Sequence, residues 1–412
     1  MQRSLVGSEM CIRDRMDNIC NEDICTGCGA CKAICPTNSI ILKANEEGFI
    51  MPVINDMSCI NCGKCKEMCP SNNSLNRNKA VFKVYAAQNM DTNVLKNSTS
   101  GGAFAALAIP ILQSEGVVFG ATMDTRFNVK HIKVSNEKEL QLLHGSKYVQ
   151  SNTANTYKEA EKELKAGKKV LYVGTPCQIA GLYAVLGNSH YDNLITADLV
   201  CHGVAPQALF RKYLDELGKK ENSPVVNFQF RNKEQLSEQY NSKISFLNSK
   251  ISYVDCIDND YLSCYMQLAI YRESCYKCKY ANIPRVADFT IGDYIGVDSK
   301  VVNKNIKQKG ISVLLVNNET ALKYFEEIKR YLKLWERPLE EATSTNLCLI
   351  QPSKRPEIRD FIFADKELSV HELRSKYCKV KLRHKVATYL GYDRTLKVIK
   401  LVQNAKNFFV KR

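Results

Sequence analysis

Residues 25–36 read CTGCGACKAICP and residues 59–70 read CINCGKCKEMCP, each with cysteines at i, i+3, i+6 and i+10 followed at once by proline. No other feature restricts the fold so tightly. Eight thiols must converge within about sixty residues, a length too short for a large apolar core. The whole chain carries 18 cysteines in 412 residues. Disulfide scaffolds that use cysteine so heavily are small and secreted. This chain is long, no secretory signal precedes the first motif, and tight CxxC repeats suit metal better than disulfides. Only six histidines are present, which counts against a zinc hydrolase built on His ligands. The longest apolar run, AFAALAIPIL before Gln113, is far short of the roughly 18–20 residues of a spanning helix. The expectation is a soluble cytoplasmic protein with reduced, metal-loaded cysteines.

Iron–sulfur clusters are held by cysteine thiolates, and CxxCxxCxxxCP is the spacing of bacterial two-cluster ferredoxins. The first three cysteines wrap one cubane, and the fourth, turned away by its proline, serves the other. Cys25, Cys28, Cys31 and Cys69 are therefore expected to hold one [4Fe-4S] cluster, and Cys59, Cys62, Cys65 and Cys35 the second. Gly27, Gly29 and Gly63 let the backbone approach closely. Zinc would call for pairs of CxxC units rather than four cysteines ending in CP, twice over. Such a unit moves single electrons and needs a partner site for bond chemistry.

Residues 1–15, MQRSLVGSEMCIRDR, resemble a translated sequencing-adapter fragment, and Met16 is a plausible native start. Residues 16–75 form the two-cluster unit, with a hairpin expected around Asn45–Gly48. After a polar linker, residues 80–155 and 156–337 read as two α/β regions. VFKVYAAQN, GVVFGATMD, KVLYVG, NLITADL and ISVLLVN are expected strands. SGGAFAALAIPILQSEG, PCQIAGLYAVLG and TALKYFEEIKRYL are expected helices. NTANTYKEAEKELKAGKK is a helix with Asn152 or Thr153 as its cap. VVNFQF and KISFLNSKISYV are further strands, with antiparallel pairing open to them. Strand–loop–helix units indicate an α/β domain with a partly parallel sheet. The fold class is thus an α+β ferredoxin-like 2×[4Fe-4S] domain followed by a larger α/β domain with a mixed sheet. Residues 338–412, read as a basic helical tail, show no chemical motif.

A third set of cysteines stands apart: Cys177 in GTPCQIAG, Cys201 in LVCHG, and Cys275 with Cys278 in ESCYKCKYA. The first two follow predicted strand ends, where α/β sheets place their ligands. Together the segments supply four thiolates, enough for a third [4Fe-4S] cluster. A single buried cysteine is more often a small hydrophobe, and an isolated CxxC is as readily half a zinc site or a redox pair.

SGGAFAAL, GSKYVQS, VGTPCQIAGL, DLVCHGV, CYKCKYAN and ADFTIGDYIG, in that order, resemble the coenzyme F420 hydrogenase/dehydrogenase β-subunit family over residues 80–335. The resemblance implies an iron–sulfur flavoprotein that binds FAD and exchanges electrons with a two-electron carrier or substrate. It implies Cys177, Cys201, Cys275 and Cys278 as the third ligand set, with Cys256 and Cys264 in reserve. No GxGxxG follows a strand, so the FAD site it implies is of another kind. Ser100, Gly101 and Gly102 stand at an expected helix N-terminus suited to a pyrophosphate. Ser146, Lys147, Tyr148 and Gln150 offer a cation, a ring and amide donors. His202 is the candidate proton donor. Asp288 and Asp293 shape the pocket, or Asp293 only a turn.

The net charge of +15 lies mainly at the end of the chain, where Lys366–Arg412 hold thirteen Lys and Arg against three Asp and Glu. TLKVIKLVQNAKNFFVKR sets Val398, Leu401, Val402, Ala405 and Phe409 on one helical face, with lysines opposite. Such a helix can lie on an anionic membrane or dock on its own domain. No nucleic-acid module is recognised. Two functions follow. One is an oxidoreductase whose two-electron partner is of the coenzyme F420 type, or a substrate of polysaccharide biosynthesis in anaerobic bacteria. The other is an electron-transfer adaptor without its own substrate, serving a redox partner protein.

Overall fold

The structure, a computed structural model, describes residues 18–75, 77–153, 155–187, 189–234 and 241–379. The adapter-like segment 1–15 and the amphipathic stretch 395–412 lie outside the described residues.

Strands β1 (Ile40–Ala44) and β2 (Ile50–Ile54) pair antiparallel, Ile40 opposite Ile54. The hairpin turn sits at Asn45–Gly48: Gly48 N donates to Asn45 O, Phe49 N donates to Asn45 Oδ1, and Gly48 takes φ +85°. Short helices at Ala30–Ile34 and Lys64–Glu67 follow the two CxxCxxC runs.

The larger sheet has eight strands: β3 (Lys83–Asn89), β4 (Val117–Met123), β5 (Val129–Val134), β6 (Val170–Gly174), β7 (Leu194–Leu199), β11 (Phe289–Asp293), β12 (Ser312–Val316) and β13 (Leu332–Glu336). Their order is β13-β3-β12-β11-β7-β6-β4-β5. The inner four, β4, β6, β7 and β11, run parallel. β5, β12, β3 and β13 join antiparallel, so the sheet is mixed as expected. Helices cover both faces, which is why β6 reads VLYVG and is buried at every position. Ala103–Gln113 and Glu319–Ile328 pack on one face through Leu107, Ile111, Phe325 and Ile328. Thr156–Lys165 and Pro176–Leu186 pack on the other through Tyr157, Leu164, Ile179 and Leu182. A smaller sheet, β10 (Ile251–Asp255), β9 (Asn241–Phe246) and β8 (Val225–Gln229), is antiparallel throughout.

One local expectation differs from the structure. The helix at 156–165 begins after Asn155, not after Asn152 or Thr153, because the Thr153 hydroxyl is committed to the Cys28 carbonyl at 2.8 Å. The stretch after Pro338 is helical over its described part. Helices Leu339–Thr345, Ile358–Ala364 and Val370–Tyr377 pack on the body and bury Leu349, Ile362, Val370 and Leu373.

Candidate iron–sulfur centres and cleft

A cavity of about 20 Å³ inside the N-terminal unit is lined by Cys25, Cys28, Cys31 and Cys69, the crossed set expected from the motif. Gly27 (φ +63°) and Gly29 (φ +81°) curl the loop around it in a conformation that side chains resist. Cys20, which falls outside the CxxC spacing, joins the lining. Its hydrogen bonds hold the Cys25 and Cys69 thiols down at about 6, and its own thiol is pushed far up. Of the second set, Cys35 and Cys62 stand close enough to Cys65 to raise its thiol, after burial, by charge repulsion. Cys62 is exposed, and Met57 and Ile60 beside it are uncovered.

The parallel strands deliver the third set. β6 ends at Gly174 and runs through Thr175 into the helix Pro176–Leu186, whose first turn carries Cys177. β7 ends at Leu199, two residues before Cys201. A short turn of helix at Glu273–Lys277 brings in Cys275, and Cys278 follows it. All four cysteines line one cavity of about 40 Å³, room for more than one water-sized body. Burial pushes Cys177 up to about 11, Cys275 to about 12 and Cys201 well above the usual thiol value. As free thiols they stay protonated, and a cluster's iron is the group that would draw them into the thiolate form. Among the described residues no three His, Cys, Asp or Glu side chains converge as a single metal ion requires; the thiols stand around a space.

The same cavity holds a residue that sequence reasoning missed. Cys348 lines it, with Sγ 3.6 Å from His202 Nδ1 and 3.6 Å from Ser353 Oγ. Burial would raise this thiol, but the His202 contact and the Arg285 charge hold it below the usual value, and the bond to Cys348 raises His202. His202 therefore faces the cysteine cavity and not the large cleft described below. Cys348 sits in TSTNLCLI, without spacing or a neighbouring cysteine to flag it. The reserves lie elsewhere: Cys264 is buried against Cys378, and Cys256 packs at the edge of the same aromatic cluster.

Among the described residues, only the dipeptide Thr26–Gly27 lines both cysteine cavities. Gln150 fastens this junction. Its Oε1 accepts from Ile50 N at 2.9 Å, its Nε2 donates to Thr26 O at 3.4 Å, and it lines the third-set cavity. Cys28 is pressed against the body as well: a Cβ on Gly181 would lie 3.2 Å from its Sγ, and Tyr157 Oη donates to its carbonyl.

A separate open cleft of about 1340 Å³ is lined by Ser146, Lys147 and Phe230, and by the cations Lys96, Lys304 and Lys307. Thr99 stands in its wall, and the helix Ala103–Gln113 contributes Ala105 and Ile109. The other proposed flavin residues have different surroundings. Gly101 is sealed: its N–H donates to Ser312 Oγ, and a Cβ would lie 2.3 Å from Ala87 O. Ser100 Oγ donates to Ile311 O at 2.8 Å, and Gly102 (φ +80°) packs on Asn89. The Lys147 ammonium donates to the carbonyls of Ala121, Leu143 and His144, and burial pulls its pKa down to about 7. Tyr148 packs tilted against Tyr265 (4.8 Å between centroids) and edge-on against Phe230 (5.6 Å), while Tyr265 Oη donates to Gly203 O. A run of rings thus connects the loop after Cys201 with the cleft wall. Asp288 is a strut, accepting from Thr196 N and Oγ1 at 2.7 Å. Asp293 pairs with Arg231, another cleft residue.

Among the described residues no helix is long and apolar enough to cross a membrane. Residues 24–73 match the model of the 4Fe-4S dicluster domain. Residues 167–342 match the model of the C terminus of the coenzyme F420 hydrogenase/dehydrogenase beta subunit. A chain in a solved structure of the F420-reducing [NiFe] hydrogenase complex from Methanosarcina barkeri, a xenon derivative, is similar at 14% identity. The match covers 72% of this chain and 91% of that one, with a TM-score of 0.45. No curated protein matches the chain.

Proposed function

We propose that this chain, which joins a 4Fe-4S dicluster domain to the C-terminal domain of a coenzyme F420 hydrogenase/dehydrogenase beta subunit, is an iron–sulfur flavoprotein oxidoreductase. It moves electrons between three [4Fe-4S] clusters and FAD, with hydride exchange to a two-electron carrier of the F420 type or a comparable substrate. One observation carries this reading. Cys177, Cys201, Cys275 and Cys278, from three distant segments, share one cavity, and Thr26 and Gly27 line both it and the cavity of Cys25, Cys28, Cys31 and Cys69.

FAD supplies the gate between one-electron clusters and two-electron chemistry. The cleft fits it in size and sign: it is large, and its lysines favour phosphate. The residues that would hold it are Thr99 and Ser146, with the lysines of the cleft for its phosphates. Lys147 and Gln150 act indirectly, one holding the turn before Ser146 and the other holding the ferredoxin unit in place. His202, beside Cys348, is placed to hold a proton at Nδ1 near the third cysteine set.

The exposure of Cys62, Met57 and Ile60 favours a second reading alongside the first. A cluster at that surface gives an external redox protein an entry point, as an electron-transfer adaptor would need.

Anaerobic purification with iron and flavin quantified tests the proposal. Three cubanes predict about twelve irons per chain, with one FAD. Eight irons and no flavin would sink the enzyme reading and leave the adaptor. Cys177→Ser should lower iron to about eight and keep the spectrum of the ferredoxin pair.

A further inference from the structure

Three arginines are almost fully buried: Arg272 (3% exposed), Arg285 (1%) and Arg359 (3%). A guanidinium stays charged at any ordinary pH, so each needs negative charge nearby to offset the cost of leaving water. Two of them have it. Arg285 pairs with Asp198 at 3.0 Å, both side chains fully enclosed, and Arg359 pairs bidentately with Glu47 at 2.6 and 3.0 Å.

Arg272 does not follow this pattern. Its Nε donates to Cys25 O, its Nη1 to Ile50 O at 2.9 Å and to Gln150 Oε1 at 3.4 Å, and its Nη2 points at Met51 Sδ. Its guanidinium also lies over the Phe49 ring, 5.6 Å from the centroid. These acceptors are all neutral, and among the described ion pairs none includes Arg272. The location supplies what is missing. The side chain reaches the carbonyl of Cys25, and its own carbonyl accepts from Cys275 N at 2.9 Å, so it touches one ligand of each neighbouring set. A Cβ on Gly27, the residue common to both cavities, would lie 3.0 Å from its Nη1.

We propose that Arg272 is the shared counter-cation of two [4Fe-4S] clusters, one in each of these cavities, and that it raises their reduction potentials together. The inference rests on the reading that both cavities hold clusters. A cubane bound by four thiolates is an anion, and reduction adds one more negative charge. A fixed cation in a low-dielectric wall therefore favours the reduced form of each. Because it lies between them, it offsets the repulsion that opposes reducing both clusters at once, and an electron can still pass from one to the other. In that transfer one cubane loses a single electron and the other gains it; no bond changes and no proton moves. The second ferredoxin set, around Cys59 and Cys62, lies outside its contacts and serves as an internal reference.

The test uses the full chain, anaerobically loaded, as wild type, Arg272→Lys, Arg272→Gln and Gln150→Glu. Iron per chain is measured, and each cluster's potential is read by electron paramagnetic resonance during a redox titration. In Arg272→Gln two of the three signals are expected to move to lower potential by at least tenfold in their one-electron equilibria, about 59 mV. The third signal stays in place, and Arg272→Lys keeps all three near wild type. Gln150→Glu sets a carboxylate beside the guanidinium in a side chain of the same shape. It should shift the same two signals downward even if Arg272→Gln fails to load. Unmoved potentials at full iron in either variant would overturn the counter-cation role and leave the cluster reading standing. So would equal movement of all three signals, the mark of a general distortion. A wild-type chain with only eight irons would instead remove the third cluster, and both conclusions with it.

Discussion

His131 shows how far a residue's task can be from its sequence neighbourhood. It sits in a strand, VKHIKV, whose alternation marks it only as an inward position. In the fold it is 3% exposed, its Nδ1 is 2.8 Å from Ser151 Oγ and its Nε2 is 3.1 Å from the Val173 carbonyl. Burial dominates and pulls its pKa down to about 4, with the carbonyl opposing. The folded imidazole thus stays neutral while the unfolded one takes up a proton below about 6.5. Stability from this group is complete above that value and drains away as the pH falls toward 4. Urea denaturation at pH 6.0 and 5.0 should show wild type losing about 1 kcal/mol more than His131→Gln over that unit. An equal loss in both would show that His131 is protonated in the folded state. The same scale explains Cys348 and Cys20. Neither has a metal-ligand spacing, so only the closing of the chain reveals that each faces a cysteine cavity.

Among the elements, those with a strong period were legible. β4, β6, β7 and β12, the hairpin and the helices at 103–113 and 176–186 all stand where alternation, capping and turn residues place them. The connector GSKYVQS was legible as important but not in its role, because its partners lie far away in sequence. Lys147 illustrates the difference. A lysine beside glycine and serine suggests a phosphate contact, yet its three donors close the end of β4 onto the turn at Leu143–His144. Lys147→Met removes those donors and leaves their acceptors short of partners. It should lower the unfolding free energy by about 1–3 kcal/mol, with the loss visible in protein stripped of flavin. If flavin affinity falls and the flavin-free stability does not, the ammonium binds phosphate after all.

Across the whole molecule, the ferredoxin unit is built into the body. Long-range clamps hold it, among them Glu47 with Arg359, Ile50 and Thr26 with Gln150, and Cys25 and Ile50 with Arg272. The motif CTGCGACKAICP announces a cluster, but the residue that couples it to the body is Gly27, set between two of its cysteines. Gly27 needs positive φ, and a Cβ there would lie 2.5 Å from both Ile50 O and Gln150 Nε2. Gly27→Val therefore carries both penalties, backbone strain and a forced separation of the two cysteine cavities. Strain alone costs about 1–3 kcal/mol. The separation should act on rate more than on loading: reduced protein mixed with a soluble electron acceptor should reoxidise its ferredoxin clusters more slowly than wild type, at equal iron content. Cys59, Cys62 and Cys65 line neither of the two cavities, so the resting spectrum of a cluster on them should not change. A Gly27→Val protein that keeps its iron and its wild-type reoxidation rate would place the electron path elsewhere, through the exposed Cys62 surface.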